Sequence, residues 1–108
     1  MKINSKTKYN KPSEYHPGDK VRLVTIDEAV RRARHINNIS INYDDHVIVI
    51  KVDGEEKALC SVQRYEDFLS FDELTVTSCD LNDKIHQLLL TSINDNEIWM
   101  HPVFLDKV

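Results

Sequence analysis

Val47-Ile48-Val49-Ile50-Lys51-Val52, followed at once by Asp53-Gly54 and then by the run from Glu56 to Val62, is the stretch that decides the fold. Its first half is β-branched and almost wholly apolar, which suits extended backbone and predicts a strand covered on both faces. Asp-Gly then supplies two adjacent residues that tolerate positive φ. A two-residue hairpin turn requires that, so residues 56–62 are read as the return strand. An antiparallel hairpin therefore sits at the middle of the chain.

Working backward, Tyr43-Asp44-Asp45 reads as a loop. Thr25-Ile26-Asp27-Glu28 has the spacing of a capping box, in which the threonine hydroxyl accepts from a free amide and the glutamate reaches back. The predicted helix runs from 26 to about 36. Ile26, Ala29, Val30, Ala33 and Ile36 share one face, and Asn37-Asn38 supplies a stop that tolerates left-handed backbone. Before it, Lys20-Val21-Arg22-Leu23-Val24 reads as a strand. It is fed by a turn at His16-Pro17-Gly18-Asp19, where Pro17 fixes one φ and Gly18 permits a positive one. Residues 1–16, polar and lysine-rich, read as an extended basic arm in front of a single domain at 17–108.

Working forward, Tyr65, Phe68, Leu69 and Phe71 suit a helical turn laying aromatics on the sheet. Strands are expected at 73–79, 84–91 and 97–101, with turns at 80–83 and 94–96. The last strand is expected to bury Trp99, the only tryptophan, beside Phe104 in a closing turn at 101–105, the alternative being an exposed binding anchor. The sum is an α+β domain of about six strands, a small, strongly bent antiparallel sheet or partly open barrel with one helix after the first strand.

At 108 residues, with 41% hydrophobic and 30% charged residues, the chain suits one domain that folds on a modest core without disulfide or metal. It has no apolar run near the ~18 residues of a membrane span and no apolar stretch at the start, so a cytoplasmic protein without membrane contact is expected. Cys60 and Cys79 have no CxxC partner and fall in predicted strands, where thiol reactivity drops. The five histidines show no ligand spacing. With only Gly18 and Gly54, a glycine-rich phosphate loop is excluded, and with it kinases, NTPases and dinucleotide enzymes. The expectation is a non-enzymatic chain with no cofactor.

Charge is the remaining signal. Residues 1–36 carry +5 and residues 37–108 carry −9, although the whole chain is only −4. Two faces of opposite sign would follow if the fold kept these regions apart. The basic candidates are Arg31, Arg32, Arg34 and His35 on the helix, more cations than its dipole requires. The acidic candidates are Asp44, Asp45, Glu55 and Glu56, with Asp80, Asp83, Asp95 and Glu97 as further members of a negative face.

Pro17-Gly18-Asp19-Lys20-Val21-Arg22-Leu23-Val24 and Ile98-Trp99-Met100-His101-Pro102-Val103-Phe104-Leu105 resemble the first strand and the terminal hairpin and turn of small SH3-like barrels, common among short phage and bacterial proteins. That resemblance implies a binding module, and for a phage protein an inhibitor that occupies a host protein's surface. The alternative from another class is a nucleic-acid-binding domain using the arm and the helix arginines.

Of the local features, the cap is the most directly testable. Replacing Thr25 by Ala is expected to cost about 0.5–2 kcal/mol in urea denaturation. An unchanged midpoint would mean that residue 25 caps nothing.

Overall fold

The computed structural model describes residues 14–82 and 84–108. The chain runs β1 (Lys20–Leu23), α1 (Ile26–Arg34), β2 (Ile39–Tyr43), β3 (Val47–Val52), β4 (Glu55–Ser61), α2 (Val62–Leu69), β5 (Leu74–Asp80), β6 (Gln87–Thr91) and β7 (Glu97–Met100). A 3-10 turn at Pro102–Phe104 and β8 (Leu105–Lys107) complete it. The strands form two open antiparallel sheets, one ordered β7-β6-β5-β1-β8 and the other β2-β3-β4. The α+β class is as expected. Among the described residues, the count of about six strands is corrected to eight, because Ile39–Tyr43 and Leu105–Lys107 also pair, and the helical turn expected around Tyr65 is a second α-helix.

The Asp53-Gly54 hairpin forms as the sequence predicts, with φ of 52° and 84°, the two successive positive values of a type I′ turn. β3 departs from expectation in being covered on one face only. Ile48, Ile50 and Val52 are buried, Val47 and Val49 are half-buried and Lys51 is exposed. The outer face, where β2 shows Ser40 and Asn42, meets solvent.

Both sheets contribute to one continuous core. Ile41, Ile48 and Ile50 come from the smaller sheet, and Val21, Leu74, Val76, Leu88, Leu90 and Met100 from the larger. α1 adds Ile26, Ala29 and Ala33, and α2 adds Tyr65 and Phe68. Tyr65 donates its hydroxyl to the Val24 carbonyl at 2.6 Å, so the one polar atom of a wholly buried ring is satisfied. Phe104 is also wholly buried, edge-on to Tyr65 at 5.6 Å, as the closing turn predicts.

Thr25 caps α1 by accepting from the Glu28 amide at 3.1 Å. The return half of the capping box does not form, because the Glu28 carboxylate turns forward to Arg31 and Arg32. The helix stops two residues earlier than predicted. His35 and Ile36 bond three residues back, to Arg32 and Ala33, which tightens the last turn.

Trp99 is a second correction: it is 40% exposed. Ile98 and Met100 take the inward positions of β7, and period-two alternation places Trp99 with Glu97 on the opposite face. Most of the expected arm, residues 1–13, lies outside the described residues. Its end does not stand free of the domain: Tyr15 is 3% exposed, with the Lys107 ammonium 5.1 Å from its ring centroid and bonded to the Glu14 carbonyl. Among the described residues, no helix is long and apolar enough to cross a membrane.

His101 caps the 3-10 turn, its Nδ1 accepting from the Val103 amide at 3.0 Å, so the ring is neutral with its proton on Nε2. Burial, with a smaller push from His86, holds its pKa down at about 4 from an ordinary 6.5. The unfolded chain takes up a proton near 6.5 that the folded chain refuses. This contribution to stability is therefore complete above 6.5 and lost as pH falls towards 4. The urea midpoint is expected to drop between pH 7 and 5. His101→Asn, which can keep the cap without titrating, should flatten that drop, and an equal drop in both proteins would place the titration elsewhere.

Candidate functional site

The helix arginines occupy three different settings. Arg31 grips the Glu28 carboxylate with Nε and Nη2, at 2.9 and 2.6 Å. Arg32, expected on the surface, is only 9% exposed and points inward: Nε meets Glu28 at 3.0 Å, Nη1 the Leu105 carbonyl at 3.2 Å and Nη2 the Asp106 carboxylate at 2.8 Å. Burial opposes its charge, but the hydrogen bonds it donates to Asp106 and Glu28 outweigh that and raise its pKa. The Glu28 carboxyl is held down at about 2, chiefly by the Arg31 hydrogen bonds. Arg34 and His35 are exposed at the end of α1. The arginine set is thus partly an internal clip tying α1 to β8.

The acidic candidates are not brought together. Asp44 closes the turn between β2 and β3, accepting from the Val47 amide at 2.9 Å and the His46 amide at 2.7 Å, which lower its pKa. Asp45 is exposed beside it. Glu55 and Glu56 lie at the other end of β3, opposite Val52 and Lys51. At the usual rise of about 3.3 Å per residue, the six residues of β3 separate the two pairs by roughly 20 Å.

A groove marks a different place. Leu59, Cys60 and Arg64 face Leu89 and residues 95–99 across a depression of about 540 Å³. A second depression, of about 300 Å³, lies between Lys57, Ala58 and Leu59 on one side and Asp80, Gln87 and Trp99 on the other. The two share Leu59 and Trp99, so they form one seam running between β4 and β7. Each of those strands is the last in its sheet.

Backbone geometry makes both edges usable. Arg64 Nη2 donates to the Glu97 carbonyl, which marks the side of β7 that faces away from β6. The N–H and C=O of an antiparallel residue point the same way, and successive residues alternate. Trp99, two residues on, therefore presents its backbone groups to the same open side. On β4 the two-residue turn makes Val52 and Glu55 the closing bonded pair, so Glu56 and Ala58 turn theirs outward. The seam thus combines an exposed indole, apolar Leu59 and Leu89, and two strand edges, with the Glu97 carbonyl held by Arg64.

The two cysteines are chemically quiet. Cys60, in the seam, is pushed up by burial to about 11, and burial also raises Cys79. Both thiols are therefore protonated and poorly nucleophilic near neutral pH. Among the described residues, no three His, Cys, Asp or Glu side chains gather to hold a metal ion. Sequence reasoning passed over Leu59 and Arg64 and favoured the core for Trp99 over an exposed anchor, although Glu97 and Trp99 stand two apart in one strand, which is the alternation signal for a shared outward face. No protein-family model, curated protein or solved structure matches this chain.

The two arginines that differ most in setting can be separated by experiment. Arg32→Ala leaves the Leu105 carbonyl and Asp106 without their partner and is expected to cost about 1–3 kcal/mol in urea denaturation. Arg31→Ala, which removes an exposed pair, should leave the midpoint nearly unchanged. Equal effects would contradict the clip.

Proposed function

We propose that this domain is a non-enzymatic module that holds another protein in the seam between β4 and β7, with Trp99 as its anchor. The observation that carries the reading is the 40% exposed tryptophan standing where the end strands of the two sheets face each other. A large amphipathic ring left half in water contributes little to folding. Aromatic anchors of this kind dominate the energy of protein interfaces once a partner covers them.

Of the nucleic-acid alternative, the arm lies almost wholly outside the described residues, and the helix half draws less support. Arg32 is buried and Arg31 is occupied by Glu28, which leaves Arg34 and His35 as the exposed cations at the end of α1. Phosphate binding depends on the number of cations that can neutralise it. Blocking a host protein by covering its surface, the role implied by the SH3-like resemblance, is one use that such a seam would serve.

The test compares two surfaces with one partner. A protein captured by the wild-type chain should bind Trp99→Ala about 30-fold more weakly, a loss of about 2 kcal/mol. The fold of that variant should be little affected, because the ring is already half in water. A double variant at Arg34 and His35, both changed to Ala, should bind as the wild type does. Loss of binding in the helix variant with retention in Trp99→Ala would move the contact to α1 and end the reading.

A further inference from the structure

The open side of β7 carries a hydrogen bond of the kind a neighbouring strand would make. In a sheet, the Glu97 carbonyl would accept a backbone N–H from the next strand. Here the donor is the side chain of Arg64, in the first turn of α2. The guanidinium is steadied by the Phe68 ring, 5.3 Å from its centroid, yet Arg64 as a whole is exposed. A long exposed side chain can swing into water and remain solvated, so this bond is exchangeable in a way that a strand partner is not.

Acids outnumber bases along the seam, three to two in its lining. Asp80, Asp95 and Glu97 line it, and Glu55 and Glu56 stand on the exposed start of β4. The bases are Lys57 and Arg64. Each such pairing is weak at equilibrium, but an acidic surround selects among partners and speeds the encounter with a cationic one.

We infer that the seam takes an extended, basic segment of a partner protein, which pairs with β7 at Glu97 and Trp99 and displaces Arg64 from the Glu97 carbonyl. This rests on the seam being the binding site. An extended segment shows its side chains alternately to opposite faces. Leu89 stands directly opposite Trp99 and shares its face with Glu97, so side chains on that face meet apolar and acidic groups together, and the fitting pattern places apolar residues and Lys or Arg two apart. Proline at a bonding position would remove the donor that Glu97 needs. A second copy of this chain fits worse, since pairing its β4 or β7 here would set glutamates near glutamates. Phosphates meet the same repulsion.

The test begins with selection of a displayed library of random twelve-residue peptides on the full chain, followed by synthesis of the winner and fluorescence anisotropy. The winner should carry apolar and basic residues two apart, without a central proline. It should lose about tenfold in affinity when alternate backbone amides are N-methylated, as expected for the loss of one or two hydrogen bonds. Arg64→Ala should bind it several-fold more tightly, because neither the guanidinium nor its charge then competes. No winner, an acidic or proline-rich winner, indifference to N-methylation, or weaker binding by Arg64→Ala would each overturn the inference. So would a wild-type dimer paired through β7, or displacement of the winner by a single-stranded oligonucleotide. Measurement on Trp99→Ala separates the two readings. A winner that binds this variant as well as the wild type sinks the seam itself, whereas an acidic winner that needs Trp99 sinks only the inference.

Discussion

β1 is four residues long, and the arrangement of the whole molecule depends on its two partners. On one side Lys20 and Val21 pair with Thr75 and Leu74 of β5; on the other Val21 to Leu23 pair with Lys107 to Leu105 of β8. These pairings close loops across most of the chain, and their entropy must be offset by burial at the junction. Val21, Leu74 and Leu105 are almost completely buried there, and Leu23 nearly so. The Val24 amide donates to the Phe104 carbonyl, and Arg32 reaches Leu105 and Asp106, so α1 is locked to the same junction. With β1 and β8 fixed on one side of β5, β6 and β7 extend from the other. α2, joined directly to β4, then brings that strand to the open side of β7.

What the sequence made legible was local. The cap of α1, its apolar face, the Asp53-Gly54 turn and the inward Phe104 each follow from chemistry within a few residues. β2 was missed even though Ile39-Ser40-Ile41 alternates, because Asn37-Asn38 before it and Tyr43-Asp44-Asp45 after it carry stronger loop signals. β8 is too short to announce itself and exists only because β1 is there to pair with it. Trp99 illustrates a two-way ambiguity. Ile98 and Met100 favour one phase of β7 and Trp99 the other, and the register with Leu90 and Leu88 decides between them. The seam was illegible for the same reason: its two walls belong to different sheets.

The charge asymmetry shows why composition can mislead about surfaces. The basic first third and the acidic remainder suggested two faces, but the fold spends part of that charge internally. Glu28 holds Arg31 and Arg32, and Asp106, from the far end of the chain, holds Arg32 as well. Asp44 is occupied by two backbone amides. Among the described residues, what remains exposed is a scatter of single charges and short pairs, of which the acids flanking the seam adjoin apolar side chains.

Four strand edges need protection from indiscriminate pairing, and the fold treats each differently. β8 is short, with its Leu105 carbonyl taken by Arg32; β2 lies against α1. β4 begins with Glu55, Glu56 and Lys57 and carries an irregularity opposite Ile48 and Val49, both of which discourage a flat partner. β7 has neither a bulge nor a proline, and its edge is closed at Glu97 by the side chain of Arg64. Shortness, bulges and buried clips are permanent features of a chain, whereas a rotamer is not. An edge closed only by an exposed guanidinium is protected against casual encounters yet open to a strand that supplies a better donor and the right charge, and β7 is the edge that carries the exposed tryptophan.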